Sequence, residues 1–329
     1  MNSTEKIKQL ISKSEAIEIL NRMILIRYFE EACAQQYSAG KIRGFLHLYI
    51  GEEAIASTVI PLLKEEDQFF GTYREHGHAL VKGLSANSIM AEMFGKKEGC
   101  SKGRGGSMHL FDTTKAFYGG NAIVAGQLPL AIGMAMANKM QGNDLISVCF
   151  FGEGAIAEGE FHESLNLAQL WGLPVLFVCE NNYYAMGTAL ERSESQLNLS
   201  EKAHSYKVKS MRVNGMSVPD LYEHARDAID YVREHKQPFF LECDTYRYRA
   251  HSMFDSQQYR SKEEVEGWKK YDPLPHFIKQ LSELGWVNKD DIERMEEAAQ
   301  DLIRESIAYA DQGSIETLEE SLSEVMAGV

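Results

Sequence analysis

Two continuous apolar runs, LISVCFF at 145–151 and VLFVCE at 175–180, restrict this chain more than any other feature. Neither alternates polar with apolar residues, so each reads as a strand covered on both faces, the condition of a parallel sheet. Between them EFHESLNLAQLW has the spacing of an amphipathic helix, and Pro174 leads into the second run. Strand, helix and strand in that order make a βαβ crossover. A helix over 219–235 and the strand PFFLECDTYR repeat the alternation. The predicted fold class is therefore α/β, with a mostly parallel sheet flanked by helices.

The flanks are less regular. Ile17, Leu20, Met23, Ile24 and Phe29 predict an opening helix over Ser14–Ser38, with Gly40 as its stop. LPLAIGMAMANKM predicts another helix from residue 128. Between Gly40 and Gly126 glycines are frequent and long helices are hard to place; KKEGCSKGRGGSMH reads as an ordered or switchable loop. The last 70 or so residues are acidic and helical by pattern. We expect one domain over 1–329, with an N-terminal helical segment (1–40) and a helical C-terminal extension (258–329) packed on it.

A net charge of −14 argues against a nucleic-acid partner, because phosphates would be repelled, but leaves room for a local anion pocket. No apolar stretch approaches the ~18 residues of a membrane span. The N-terminus MNSTEKIKQLISKSEAIEIL has no apolar secretory core and carries acids without arginine, so cytoplasm is the expected location. Of five cysteines none forms a CxxC pair; Cys149 and Cys179 sit inside the apolar runs and read as small core residues.

Chemistry gathers where the two runs end. Gly152-Glu153-Gly154 follows the first and Glu180-Asn181-Asn182 the second. Ligands of open α/β sheets bind outside the carboxyl ends of the strands, so both clusters should face one crevice. The glycines permit close backbone approach, and the following turn offers N–H groups to an anion. Gly152-x-Gly154-x-x-Ala157 also satisfies a dinucleotide fingerprint, for which Glu180 would be the ribose acid. Against that, Glu153 puts a carboxylate where a diphosphate would lie, and a divalent cation turns this repulsion into a bridge. Mg²⁺ takes oxygen ligands, and Glu153 with the Asn182 amide could supply them. Asn181 alone reads as a turn residue. His78, His109 and His162 lack a ligand partner at helical spacing and are not metal candidates.

Gly152-Glu153-Gly154, 26 intervening residues and Asn181-Asn182 resemble the thiamine diphosphate motif. FLHLYIGEEA (45–54), TYREHG (72–77), KGRGGSMH (102–109), YGGNAIVAGQLPLAIG (118–133), ENNYYAMGT (180–188) and TYRYRAHSM (245–253) resemble alpha subunits of 2-oxo acid dehydrogenases, from about residue 15 to 310. The resemblance implies a thiamine-diphosphate-binding fold, with thiamine diphosphate and Mg²⁺ as cofactors. It makes Glu153, Asn182 and the Tyr184 backbone carbonyl the metal ligands. Tyr73, Arg74, Gly154 and Ala155 match contacts to the diphosphate, and Ala122 and Val124 main-chain contacts to the aminopyrimidine. Arg247 and His251 match a loop over the active-site mouth, Phe45 and His47 the substrate entrance. His76 and His251 are the expected proton carriers, His76 by lining the pocket.

The implied reaction is oxidative decarboxylation of a 2-oxo acid, with reductive acylation of a lipoyl group on an acyltransferase partner. HLYIGEEA and TYRYRAHSMFD look more like pyruvate dehydrogenase than the branched-chain enzyme, and acetoin dehydrogenase alpha subunits are close relatives. The acid that ionises the cofactor belongs to a beta subunit in this family, so an α2β2 heterotetramer is expected and the single chain should be inactive. Glu52 and Glu53 read as charges at a helix start. Departures from the family pattern are Glu153 in place of Asp, and Phe254 and Ser256 where many relatives have serine and proline. The Glu153 change motivates a competing reading as a non-catalytic assembly subunit, beside the nicotinamide oxidoreductase suggested by the fingerprint. Ser252 matches a phosphorylated position but reads as a polar loop residue. Lys102 and Arg104 are either solvated or near the acyl-carrier entrance.

Overall fold

A computed structural model describes residues 3–327. Residues 1–2 and 328–329, the outer ends of the segments expected at 1–40 and 258–329, lie outside the described residues. The strands are β1 (Gln68–Thr72), β2 (Phe117–Asn121), β3 (Ser147–Gly152), β4 (Val175–Asn181), β5 (Tyr184–Ala185), β6 (Thr188–Ala189), β7 (Lys209–Asn214) and β8 (Phe239–Asp244). Six of them form one sheet in the order β2-β1-β3-β4-β8-β7, and every neighbouring pair is parallel. β5 and β6 make a small antiparallel hairpin.

The two apolar runs became β3 and β4, at the centre of the sheet. Successive side chains of a strand point to opposite faces. Thus Val148, Phe150, Leu176, Val178, Phe239 and Leu241 pack under the helices Lys13–Ser38, Glu53–Val59 and Val218–His235. Cys149, Phe151, Val175, Phe177, Cys179 and Phe240 pack on the other face, under Gln127–Gln141 and Gly159–Trp171. Helix Lys13–Ser38 starts at a capping box, in which the Ser12 hydroxyl accepts from Glu15 N–H while the Glu15 carboxylate accepts from Ser12 N–H. Helix Lys289–Gln312 of the C-terminal extension packs against it and against helix Ala86–Met93.

Only short helices fill the glycine-frequent region: Glu53–Val59, His76–Lys82 and Ala86–Met93. The loop after them is ordered from inside. The buried Glu92 carboxylate accepts the backbone N–H groups of Ser101 (2.8 Å), Gly103 (2.7 Å), Gly105 (2.7 Å) and Gly106 (3.0 Å). Among the described residues no helix is long and apolar enough to cross a membrane.

The chain order of the strands reverses between β1 and β3, with β2 outside β1 and β4 outside β3. That is a topological switch point, where connections diverge and leave a crevice beyond the carboxyl ends.

Candidate active site

A cleft of about 250 Å³ opens at this switch point. Its walls come from the residues just past five parallel strands: Tyr73 and Arg74 after β1, Val124 after β2, Glu153 after β3, Asn182 after β4 and Arg247 after β8. Gly154, Ala155, Tyr184 and His251 complete the expected residues that line it. A Cβ at Gly154 would stand 2.7 Å from that of Ala185, so this turn runs against the β5 hairpin with no room for a side chain.

Glu153 opens the short 3-10 turn Glu153–Ala157 and is 2 % exposed. Its Oε2 accepts the Asn182 backbone N–H at 3.2 Å, while its Oε1 is buried with no hydrogen-bond partner. Burial raises its pKa. The Asn182 amide oxygen and the Tyr184 carbonyl lie 3.5 and 3.4 Å from one nitrogen, Arg247 Nη1, so both oxygens converge on a cation. An orphaned carboxylate oxygen beside convergent neutral oxygens is a donor set that fits Mg²⁺.

Positive charge is fixed around this acid. Arg74 is buried and held by carbonyls, donating to Leu48 O (2.7 Å) and His251 O (2.9 Å). Burial lowers its pKa, the neighbouring Arg247 lowers it further, and Glu52 works against both. Arg247 bonds to carbonyls, an amide oxygen and the Tyr259 hydroxyl. Two guanidiniums tied mainly to neutral oxygens keep most of their charge for an incoming anion.

His47, Tyr73 and His251 form an aromatic cluster, His47 lying 4.5 Å from Tyr73 and 5.0 Å from His251 between ring centroids. Burial, then the positive charge of Arg74, pulls the His47 pKa down to about 2 and that of His251 to about 3. Both imidazoles are therefore neutral at ordinary pH, and the Nδ1 atom of each is buried without a partner. Burial raises the Tyr73 pKa.

Several of the expected residues do not line the cleft. His76 does not line the cleft. It is fully buried, its Nδ1 2.9 Å from Glu30 Oε2 and its Nε2 2.8 Å from Ser107 Oγ, so it ties the glycine-rich loop to the N-terminal helix. The reason is local: His76 begins the helix His76–Lys82, and the chain has turned away from the crevice by then. Ala122 is not in the wall either; Asn121, Ile123, Val124 and Ala125 are. The Asn121 side chain accepts from Ile123 N–H and Ala125 has φ +67°, and this tight turn carries Ala122 off the lining. His47 sits behind Tyr73 and His251, not in the wall, and Phe45 is exposed outside it, edge-on to Phe254 at 6.5 Å.

Glu52 and Glu53 do begin a helix, but they are not solvated dipole charges. Glu53 is buried against Arg27, which also pairs with Asp272. Glu52 is 1 % exposed and lines the cleft, its Oε1 accepting from Asn182 Nδ2 at 2.9 Å. Burial raises its pKa to about 7, although Arg74 opposes the shift. Glu180 also faces the cleft, accepting from the Tyr49 hydroxyl and lying 3.1 Å from His78 Nε2. Glu180 was expected in the crevice from its place at the end of an apolar run, whereas Glu52 did not stand out in the sequence. The available signal was a charged pair between Ile50-Gly51 and Ala54-Ile55-Ala56, an apolar setting for two carboxylates. Arg104 pairs with Glu316 of the C-terminal segment, and neither it nor Lys102 lines the cleft. Cys149 and Cys179 are buried in the core as expected, and Ser252 is buried too.

Residues 21–319 match the family described as Dehydrogenase E1 component. The chain is 41% identical over 313 residues to a protein of Rickettsia bellii named pyruvate dehydrogenase E1 component subunit alpha, covering 95% of this chain and 96% of that one. Proteins of the same name are 43% identical in Rhizobium meliloti, over 91% of this chain and 86% of the relative, and 41% identical in Zymomonas mobilis, over 96% and 90%.

Proposed function

The chain belongs to the dehydrogenase E1 component family, and from that premise we propose that it is the alpha subunit of a pyruvate dehydrogenase decarboxylase component, working in the cytoplasm. The observation that carries this reading is the buried, unpartnered Glu153 Oε1 beside Arg74 and Arg247 at the sheet's switch point. An acid there repels a bare diphosphate and attracts one that arrives with a divalent cation. Glu153, Asn182 and the Tyr184 carbonyl would hold Mg²⁺, and Tyr73, Arg74, Gly154, Ala155 and Arg247 the diphosphate of thiamine diphosphate. Glu153 stays in the cleft wall with one carboxylate oxygen unpartnered, which supports the catalytic reading over that of an assembly subunit.

The bound cofactor supplies an electron-accepting ring for cleavage of the bond between the carboxylate and the carbonyl carbon. The chain's own contribution is to bind and orient the cofactor. Carbonyls already fix the Arg74 guanidinium for the diphosphate, whereas Arg247 Nη1 would yield the Asn182 and Tyr184 oxygens to the ion and turn to the diphosphate. His251 lines the cleft, and a bound diphosphate that offsets Arg74 and Arg247 would raise its pKa toward the range in which it could carry a proton, whereas His76 is held behind the wall by Glu30 and Ser107. A beta subunit would provide the acid that ionises the cofactor, in an α2β2 heterotetramer, and a lipoyl-bearing acyltransferase would take the acyl group. Exposed Leu130, Met140, Leu170 and Trp171, on two adjoining helices, support the presence of a partner. The whole of 1–329 would act as one cofactor-binding domain, with both terminal helical segments packed on it.

The test is calorimetric titration of thiamine diphosphate into this chain co-expressed with its candidate beta subunit, with Mg²⁺ and then with EDTA. Metal-dependent binding, followed by pyruvate-dependent acetylation of a lipoyl domain, is the expected result. Binding that ignores EDTA, or none at all, refutes the proposal. Decarboxylation by the purified single chain would refute the dependence on a partner.

A further inference from the structure

We propose that Glu52 is a positioning residue for the cation end of the cleft, locking the Asn182 amide so that its oxygen and not its NH₂ faces the ion. The inference rests on the reading of Asn182 and Glu153 as metal ligands. Asn182 is held from both ends. Its Nδ2 donates to Glu52 Oε1 at 2.9 Å, while its Oδ1 accepts from Tyr184 N–H at 3.3 Å and faces Arg247 Nη1 at 3.5 Å. Swapping the amide would put NH₂ against two donors and oxygen against a carboxylate, so the side chain has one orientation. The contacts on the oxygen side are long. Glu52 supplies the short one, and it is the acceptor bonded to the NH₂ group.

The same geometry gives Glu52 a second use. Asn182 bridges two buried acids, its side chain bonding Glu52 and its backbone N–H bonding Glu153. Each acid keeps one oxygen buried without a hydrogen-bond partner, Glu52 Oε2 and Glu153 Oε1, and both residues line the same cleft. Glu52 Oε2 lies 3.8 Å from Arg74 Nε, too far to be satisfied by it. Mg²⁺ dehydrates reluctantly and keeps waters in its shell. Such a water could donate to Glu52 Oε2, and Glu52 would then bear on the ion through Asn182 and that water without being a direct ligand.

The experiment uses the chain co-expressed with its candidate beta subunit and follows thiamine diphosphate binding by calorimetry as Mg²⁺ is titrated. Removing a group that orients a ligand weakens metal affinity by about 10- to 100-fold. Glu52→Ala should therefore raise the Mg²⁺ concentration at half-saturation by at least about tenfold. Glu52→Gln keeps a carbonyl oxygen to accept from Asn182 and should stay within about threefold of wild type, half the factor on a logarithmic scale. A merely structural role would lower affinity at saturating Mg²⁺ too, whereas the positioning role is overcome by added metal. If wild type binds with Mg²⁺ and Glu52→Ala behaves identically, the Glu52 inference is overturned and the cofactor reading stands. Glu52→Gln as weak as Glu52→Ala would overturn it as well, because charge and not acceptance would then matter. Wild type that binds no cofactor overturns the cofactor reading itself.

Discussion

Acidifying the protein should unload its stability through two histidines of the cleft. His47 and His251 have pKa values near 2 and 3, depressed by burial and by Arg74. Arg247 lowers both further, and Asp255 pulls His251 weakly upward. In the unfolded chain each returns to about 6.5. The folded pKa lies below the unfolded one, so the unfolded state binds more protons between them and stability falls with pH. It is fully present above about 6.5 and is lost from there toward about 3. Going from pH 7 to pH 5.5, an unfolded histidine gains its proton while the folded one does not. That costs about 1.2 kcal/mol for each, whatever the folded value as long as it stays well under 5. The two together are worth about 2 kcal/mol. Carboxylates with raised pKa values, such as Glu75, work in the opposite direction, so the readout is a difference. Urea midpoints of wild type and of the His47→Gln/His251→Gln double variant at both pH values isolate the imidazoles. Wild type should lose about 2 kcal/mol more than the variant over this interval. Equal losses would mean that the imidazoles are charged in the folded chain, and the neutral cluster beside Tyr73 would be refuted. A bound diphosphate should counter the guanidiniums and shrink the difference.

The glycine-rich loop should depend on Glu92. Glu92→Gln replaces one of two oxygens that each accept two backbone N–H groups, at a local cost of about 3 kcal/mol. Hydrogen exchange at residues 99–106 should then be about a hundredfold faster, with β3 and β4 unchanged; unaltered protection of the loop would contradict this. Gly51 has φ +106°, and a Cβ there would overlap the Tyr246 carbonyl. Gly51→Ala should destabilise by about 3 kcal/mol or more, seen as a lower thermal midpoint.

How much of this was legible follows from where each contact comes from. β3, β4 and β8 could be read because burial on both faces writes itself as an uninterrupted apolar run. β1 is QFFGT, two phenylalanines after a charged stretch, and β2 is FYGGN, weakened by its own glycines. β7, KSMRVN, lies at the sheet edge with most of its residues partly or fully exposed, so it needs few apolar side chains. None of these three carries a periodic signal. The same division governs the cleft. Glu153 and Asn182 stand at the ends of readable strands and could be found. Glu52 bonds Asn182, 130 positions away, and no local pattern carries that contact. His76 is only two positions from Arg74, yet a helix start separates them and turns it away from the cleft, which no local pattern announces.

The two ends of the cleft are built differently, and this bears on how much of the chemistry one chain can perform. At the end of β3 and β4 the polar groups are buried and tethered: backbone carbonyls hold Arg74, and Asn182 bonds Glu52 through its side chain and Glu153 through its backbone N–H. Toward β2 the wall is Ile123, 68% exposed, and Val124, 41% exposed, and Met186 at the rim is 64% exposed. An apolar wall bare to solvent cannot exclude water or lower the local dielectric, and electrostatic catalysis needs both. The net charge of −14 does not describe either end. Its acids lie largely outside the cleft, whereas the guanidiniums inside are bonded mainly to neutral oxygens. The chain is thus equipped to grip a metal diphosphate and unequipped to enclose the reacting end of the molecule that carries it. The proposed beta subunit would sit at that apolar wall, where it would supply the surface that dries it.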